Sequence, residues 1–235
     1  MRRALTVATV AAGFANETRG NLVAERVSLT YQVVMLIATP IVRWWGRLRV
    51  RGAELLDGPG PVLLCANHDS QWDPLVIGVA GRGRQVRALA KASLWKNPVV
   101  ARVLDGMGQI PIERGRGDLG ALSAAVEQLQ RGACVGVFPE GTISRGQEMR
   151  PLSGAGRLAL AVPGTRVVAV SVTGAVDISR FPARPRITVE FFEPRDGQPQ
   201  PGESAIKLTR RIMAEIRERA PFVAAGRRPA PTPTD

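Results

Sequence analysis

The chain has 235 residues, enough for one sizeable α/β domain or two small ones. Hydrophobic residues make up 45% and charged residues 22%, a globular composition that excludes a disordered or fibrous chain. Lys and Arg number 32 against 20 Asp and Glu, and this formal net charge of +12 suits an anionic partner: a membrane face, a nucleic acid or a phosphate-bearing substrate. A solvated surface without such a partner is the alternative.

The counts of three residue types narrow the chemistry. A single Tyr and an aromatic share of 5% disfavour base stacking on single-stranded nucleic acid, and no helix-turn-helix or zinc-finger spacing occurs, so we expect no nucleic-acid partner. Cys65 and Cys134 cannot build a disulfide framework. Because the chain has one His, a metal site with several histidines is excluded, and we expect neither a metal nor a cofactor.

Residues 1–46 are predicted to be a leader followed by an interfacial helix. Residues 1–15 have the outline of a secretory signal, with an unstructured leader as the alternative. The run from Val27 to Val42 has no charge, but it is shorter than the roughly 20 apolar residues that a spanning helix needs. Pro40 is expected to kink its end.

The residues around the end of this run indicate how it meets a membrane. Trp44 and Trp45 follow it, with arginines on both sides, which is typical of a helix lying in the headgroup layer of an anionic membrane. We therefore expect peripheral or monotopic attachment to the cytoplasmic face of the membrane. A helix packed on its own domain is the alternative.

Residues 47–222 are predicted to form the folded domain, followed by a flexible tail over residues 223–235. Apolar runs predict strands at Val62–Ala66, Val86–Ala90, Gln109–Ile112, Cys134–Phe138, Val167–Val172 and Arg186–Phe192. Helices are predicted after Asp73, Asn97 and Gly117, around Gly156–Ala161 and from about Glu203 to Arg219. This alternation predicts an α/β fold with a central mixed, largely parallel sheet flanked by helices, and with sites at the carboxyl ends of strands.

The first candidate site follows the first predicted strand. His68 is the single histidine, and Asp73 comes five residues later, directly before Pro74. Since proline suits the first position of a helix, Asp73 is predicted to cap that helix. The turn can also bring its carboxylate to His68, to accept the Nδ1 proton and leave Nε2 as a general base. No G-x-S-x-G elbow occurs, so a substrate hydroxyl is the predicted nucleophile. A plain helix cap beside a turn histidine is the alternative.

Charged side chains follow two further predicted strands. Arg114 comes after one of them, and its guanidinium matches a phosphate bidentately. Glu140 and Gly141 come after the other. The carboxylate suits orienting an arginine or accepting a substrate hydroxyl, and the glycine lets the backbone approach a ligand. Surface charges around a loop are the alternative.

A dinucleotide site is a competing interpretation of the same region. Residues 115–120 fit G-x-G-x-x-G between a predicted strand and a predicted helix, and Glu140 ends the next strand. The charged residues before the first glycine, and the position of the pattern near the middle of the chain, disfavour this interpretation. It would also leave His68 and Asp73 without a role.

Four segments, in this order, resemble the lysophosphatidate acyltransferase family (1-acyl-glycerol-3-phosphate acyltransferases) of the glycerolipid acyltransferase superfamily. Asn67 to Asp73 matches its N-H-x4-D motif, and Phe138 to Thr142 matches its F-P-E-G-T string. Ile110 to Arg114 matches its hydrophobic run ending in arginine. Lys91 to Pro98 is similar to a stretch in which lysine precedes an aromatic residue and a proline. The resemblance covers about residues 47–192.

The resemblance implies acyl transfer by an acyltransferase domain, without a covalent enzyme intermediate. His68, oriented by Asp73, would deprotonate the free 2-hydroxyl of a lysophospholipid, foremost lysophosphatidate, which then attacks an acyl thioester of CoA or acyl carrier protein. Lys91 and Arg114 would bind the acceptor phosphate. The substrate site implied by the family motifs also includes Asn67, Glu140, Gly141 and Thr142. Backbone N–H groups near the turn after Asn67 are expected to stabilise the tetrahedral oxyanion.

Two alternatives stay open: another lysolipid acceptor, or a catalytically silent membrane-binding protein. Three departures from the family pattern bear on the acceptor. Ile143 stands where the third motif commonly continues with arginine, Ala169 where a strand carries proline, and Ser93 where glutamate is frequent. These departures leave the acceptor head group and the acyl-chain preference open.

Overall fold

The computed structural model describes residues 27–113, 117–182 and 184–223. The strands are β1 (Arg49–Arg51), β2 (Val62–Ala66), β3 (Val86–Lys91), β4 (Ile110–Ile112), β5 (Cys134–Val137), β6 (Arg166–Thr173) and β7 (Thr188–Phe192). The α-helices are α1 (Leu29–Thr39), α2 (Asp73–Ala80), α3 (Pro98–Gly106), α4 (Leu119–Gln130), α5 (Gly154–Ala161) and α6 (Ala205–Arg219). Short 3₁₀ turns span Ala53–Leu56, Ala92–Lys96 and Ala175–Asp177, and a π-helical turn spans Pro40–Trp45.

The seven strands form one sheet in the order β1-β7-β6-β2-β5-β3-β4. Every neighbouring pair is parallel except β6 and β7, which are antiparallel. This confirms the predicted mixed, largely parallel sheet flanked by helices. It is not the strand order of a dinucleotide-binding fold, which disfavours the glycine-pattern alternative further. The edge strand β1 was not predicted, because a single valine between two arginines carries no period-two signal.

The central strand β2 supplies both hydrophobic cores. All five of its residues are buried, as expected for a strand covered on both faces. Leu63 and Cys65 pack on the face covered by α4, α5 and α6, whereas Val62, Leu64 and Ala66 pack on the opposite face with α2. The carboxyl end of β2 therefore opens at the middle of the sheet, with β5 on one side and β6 on the other.

Helix α1 occupies the predicted interfacial segment. Its N-cap Ser28 accepts the N–H of Tyr31, and the hydroxyl of Tyr31 donates to the carbonyl of Arg84 at 3.3 Å. One face of α1 is thus packed on the domain, while its opposite side leaves apolar residues in solvent: Leu29, Val33, Leu36 and Ile37. Within the three described ranges, no helix has the length and apolarity to cross a bilayer.

At Pro40 the helix continues, but its hydrogen bonds change from the α-helical spacing of four residues to the π-helical spacing of five. Proline has no N–H to donate, and the following turn is π-helical, with the N–H of Gly46 bonded to the carbonyl of Ile41. The expected kink at Pro40 is therefore a change of helix type. Residues 1–26 and 224–235 carry the predicted leader and nearly all of the predicted tail, and they lie outside the described residues.

Candidate active site

The structure brings His68 and Asp73 together at the carboxyl end of β2. Nδ1 of His68 lies 3.1 Å from Oδ2 of Asp73, and both residues are buried. The neighbouring strand β5 ends at the same edge, where the ring of Phe138 stacks on the imidazole with a centroid separation of 4.3 Å. The imidazole is therefore fixed at one nitrogen and on one face, and none of the described residues bonds its Nε2 atom.

The carboxylate of Asp73 faces back into the turn and does not cap α2. Its Oδ2 atom also accepts the backbone N–H groups of Asp69 and Ser70, each at 2.8 Å. Helix α2 begins at Asp73 itself, with Pro74 in its first turn, so the predicted helix cap is wrong. The turn supplies three donors to one oxygen. Burial raises the pKa of Asp73, and the hydrogen bonds from His68 and the two N–H groups oppose that rise.

The N–H groups expected to stabilise an oxyanion are already engaged. Those of Asp69 and Ser70 point to Asp73, and that of His68 donates to Oε2 of Glu140 at 3.1 Å. The side chain of Asn67 is engaged as well: its amide exchanges two 2.8 Å hydrogen bonds with the backbone of Val172 in β6. Asn67 thereby extends the β2–β6 pairing by one residue and anchors the start of the turn.

Glu140 is buried beneath the turn and pairs with Arg217, a residue from the last helix. Nε and Nη2 of Arg217 each donate to the carboxylate of Glu140 at 2.6 Å. The same guanidinium donates to Asp69 at 2.9 and 3.0 Å. Ser144 also bonds Asp69 through its hydroxyl, and its backbone N–H donates to the carbonyl of His68 at 2.8 Å. Burial raises the pKa of Glu140, and its bonds to Arg217 oppose that rise.

Glu140 therefore pairs with an arginine, which was one of the two roles predicted for it. The arginine is Arg217, however, which the sequence patterns did not indicate. Arg217 lies one residue after Ile216 and four after Met213, on the buried side of α6. An arginine next to the apolar stripe of a helix indicates a partly buried cation, but the sequence does not name the carboxylates that it pairs with.

The other predicted site residues lie around the same edge of the sheet. Gly141 has a positive φ of 73°, and a Cβ there would meet the Leu152 side chain at 2.9 Å, so this position favours glycine. Thr142 is exposed in the loop after it, and Lys91 is exposed at the carboxyl end of β3. Arg114 lies outside the described residues. Among the described residues nearby, the N–H of Glu113 donates to Oδ2 of Asp118, the N-cap of α4, at 2.9 Å.

A pocket of about 310 Å³ opens beside this turn, between the sheet and helices α4 and α5. Phe138 is one of its lining residues and also stacks on His68, so one residue borders both the pocket and the imidazole. The lining is largely apolar: Leu89, Ile112, Leu122, Val137, Leu152 and Leu158. Polar groups of Glu113, Asp118 and Arg157 add to it. A buried acid–base pair thus adjoins a cavity suited to a hydrocarbon chain.

Curated relatives share part of this chain. It is 30% identical over 145 residues to the 1-acyl-sn-glycerol-3-phosphate acyltransferase of Borreliella burgdorferi, covering 60% of this chain and 57% of that protein. It is 32% identical over 124 residues to the lyso-ornithine lipid O-acyltransferase of Pseudomonas aeruginosa, covering 48% and 46%. The chain spans about half the length, or less, of most of the curated relatives it matches.

A solved structure supports the fold. The 1-acyl-sn-glycerophosphate (LPA) acyltransferase PlsC of Thermotoga maritima superposes with a TM-score of 0.60 at 20% identity, over 91% of each chain. The family model described as Acyltransferase matches residues 47–173, which contain β1 to β6 and the turn of His68 and Asp73. The resemblance drawn from the motifs is confirmed, and the chain belongs to the Acyltransferase family.

Proposed function

We propose that this chain moves a fatty acyl group from a CoA or acyl-carrier-protein thioester to the free 2-hydroxyl of a lysophospholipid. Lysophosphatidate is the acceptor we favour, and phosphatidate the product. One observation carries the proposal: the buried imidazole of His68 is fixed by a carboxylate at Nδ1 and stacks on Phe138, which also lines an apolar pocket. Family membership and the name of the Borreliella burgdorferi relative support the same chemistry.

In this mechanism the carboxylate of Asp73 accepts a hydrogen bond from Nδ1–H of His68 and so holds the imidazole in the tautomer whose Nε2 is a base. Nε2 removes the proton of the acceptor hydroxyl as its oxygen attacks the thioester carbonyl carbon. The C–S bond then breaks, the new ester remains on the lipid, and the thiolate takes the proton from the imidazolium. A positioned base of this kind contributes about 10²–10⁴-fold in rate.

Substrate contacts follow from position. Lys91 and Arg114 would hold the acceptor phosphate, because Lys91 is the last residue of β3, Arg114 comes two residues after β4 in the sequence, and both strands end at the edge where His68 lies. Gly141 and Thr142 would border the glycerol. The pocket of about 310 Å³ would receive the acyl chain, since its lining offers mainly hydrocarbon. Asn67 and Glu140 would not touch the acceptor. They would instead hold the turn that carries His68 through their hydrogen bonds to the backbone.

Attachment to an anionic membrane surface, on its cytoplasmic face, is part of the proposal. Helix α1 exposes leucines, and the N-cap hydroxyl of Ser28 donates to the carbonyl of Gly106 at 2.7 Å, which places α3 beside it. Helix α3 exposes valines of its own: Val99, Val100 and Val103. Exposed cations flank this apolar surface: Lys91, Lys96 and Arg102. Apolar residues flanked by cations favour binding to anionic lipid.

A second acceptor class has an observation of its own. The Pseudomonas aeruginosa relative is named for a lyso-ornithine lipid, and Ile143 stands where the family commonly has an arginine. An acceptor without a phosphate monoester would need fewer cationic contacts.

The proposal is tested with the purified full chain, a panel of lysolipids including lysophosphatidate and a lyso-ornithine lipid, and both thioester donors, with products identified by mass. We expect one acyl group added to lysophosphatidate by the wild-type chain and none by His68→Ala. Product only from lyso-ornithine lipid would replace the acceptor. No product from any acceptor, or full activity in His68→Ala with an unchanged melting temperature, would overturn the proposal.

A further inference from the structure

Arg217 lies outside the residues that define the family match, yet it contacts the catalytic turn directly. We propose that Arg217 is a positioning residue for the acyl-transfer reaction. Its guanidinium binds the carboxylates of Asp69 and Glu140 at the same time and thereby fixes the backbone that carries His68. The inference rests on the proposed function, in which His68 is the general base.

The carboxylates of Asp69 and Glu140 are connected to the backbone on either side of His68. Asp69 is the next residue in the chain, and its own N–H is bonded to Asp73. Glu140 accepts the N–H of His68 through Oε2, one of the two oxygens that Arg217 holds. A displacement of Glu140 therefore moves the peptide unit before the His68 Cα atom, a displacement of Asp69 moves the one after it, and either changes the direction of Nε2.

Charge makes this arrangement depend on a guanidinium. Burial and, more weakly, the charge of Asp69 raise the pKa of Glu140, the bonds to Arg217 oppose this rise, and only 11% of the Arg217 side chain is exposed. Removing one partner of a buried ion pair leaves an uncompensated charge. Without Arg217, a carboxylate must take up a proton or move to solvent, and either change releases the turn. A lysine restores the charge but not the planar fork that reaches both carboxylates.

Arg217 is itself held rigidly. Its guanidinium carbon lies 3.7 Å from the centroid of the Phe222 ring, and Nη1 also donates to the carbonyl of Ala220 at 3.1 Å. The apolar stripe of α6, which includes Ile212 and Ile216, anchors the helix against the sheet. The guanidinium thus reaches the turn from a fixed platform, which is what precise positioning of a catalytic group requires.

The same helix provides a matched control. Arg219 pairs with Glu190 at 2.7 Å, and its guanidinium carbon lies 3.7 Å from the centroid of the Phe192 ring. Both of these partners belong to β7, not to the turn. Arg219→Gln therefore removes an arginine, an ion pair and a ring contact from α6 while leaving the bonds of Arg217 to Asp69 and Glu140 intact.

The experiment compares Arg217→Gln, Arg217→Lys and Arg219→Gln in the full chain, assayed below each variant's melting temperature. Because a misplacement of about 1 Å costs on the order of 10²-fold, we expect kcat to fall by about that factor in Arg217→Gln. KM for both substrates should change little, kcat of Arg217→Lys should lie in between, and Arg219→Gln should match the wild type.

A spectroscopic readout separates positioning from folding. His68 is the only histidine, so ¹⁵N-histidine labelling gives signals from that ring alone. We expect one Nδ1–H tautomer in the wild type and in Arg219→Gln, and a mixture of tautomers in Arg217→Gln. Wild-type kcat and tautomer in Arg217→Gln, or equal kcat losses in Arg217→Gln and Arg219→Gln, would overturn the inference. A wild-type chain inactive on every acceptor, whose tautomer still changes only in Arg217→Gln, would overturn the proposed function instead.

Discussion

Asp73 concentrates its hydrogen bonds on one atom: Oδ2 lies 3.1 Å from Nδ1 of His68 and also accepts two backbone N–H groups, whereas Oδ1 is buried and has no hydrogen-bond partner among the described residues. The oxygen that orients the imidazole is therefore the one that shapes the turn. Fold and chemistry depend here on a single carboxylate oxygen.

This relationship predicts the effect of Asp73→Asn. The amide oxygen still accepts the backbone N–H groups, so the turn persists, but it binds the imidazolium less strongly than a carboxylate does. We expect kcat to fall by about 10²–10⁴-fold, the contribution of the positioned base. In the double variant with His68→Ala the loss should be no larger than in His68→Ala alone, because residues acting as a unit are not additive. Steady-state acyl transfer measures both. More than half of the wild-type kcat in Asp73→Asn would contradict the orienting role.

Local patterns were enough to predict six of the seven strands and the first part of the site. The continuous apolar run of β2 and the H-x4-D spacing place His68 at a strand end beside Asp73 because both signals lie within a few residues. Arg217 was out of reach of such patterns. It bonds Asp69 across 148 positions and Glu140 across 77, so only the folding of α6 onto the sheet brings the three together. The capping prediction for Asp73 failed for a related reason, since competing donors in the turn had not been counted.

The pocket beside Phe138 predicts a chain-length effect. Leu122 lines it from α4, so Leu122→Trp should shorten the space for an acyl chain. Because one methylene in an apolar pocket is worth about 10-fold or more, we expect the ratio of short-chain to long-chain product to rise by at least that factor in a mixed-donor assay.

Leu119 is the matched control for this change. It lies on the same helix, is 68% exposed and does not line the pocket, so Leu119→Trp should leave the product ratio unchanged. If Leu122→Trp keeps the wild-type ratio, the acyl chain binds elsewhere.

The buried phenol of Tyr31 predicts how the packing of α1 responds to alkaline pH. Burial raises the pKa of Tyr31 to about 12 from an ordinary value of 10.0. The folded state therefore keeps the proton between these values while the unfolded state loses it, so stability falls as pH rises above about 10. We expect a loss of up to about 2–3 kcal/mol in the wild type by pH 12.

Two measurements check the alkaline loss. Since Tyr31 is the only tyrosine, the ultraviolet absorbance of tyrosinate reports its titration alone. Urea unfolding of wild type and Tyr31→Phe, at neutral pH and above pH 10, isolates its share of the stability. A phenolate that forms at the ordinary pKa, or an equal alkaline loss in Tyr31→Phe, would show that the packing of α1 on the domain does not bury this group in solution.

The exposed side of α1 predicts how the protein meets a membrane. Leu36 is 73% exposed, and if it enters the headgroup layer, its burial contributes about 1.5–3 kcal/mol to binding. Leu36→Asp should therefore weaken the affinity for anionic phosphatidylglycerol vesicles by at least about tenfold. Sedimentation of the protein with the vesicles measures that affinity. Gln32→Asp adds the same charge at an exposed polar position of α1 and should reduce binding much less. Equal binding by Leu36→Asp and the wild type, or equal losses in the two variants, would mean that the apolar side of α1 does not enter the lipid.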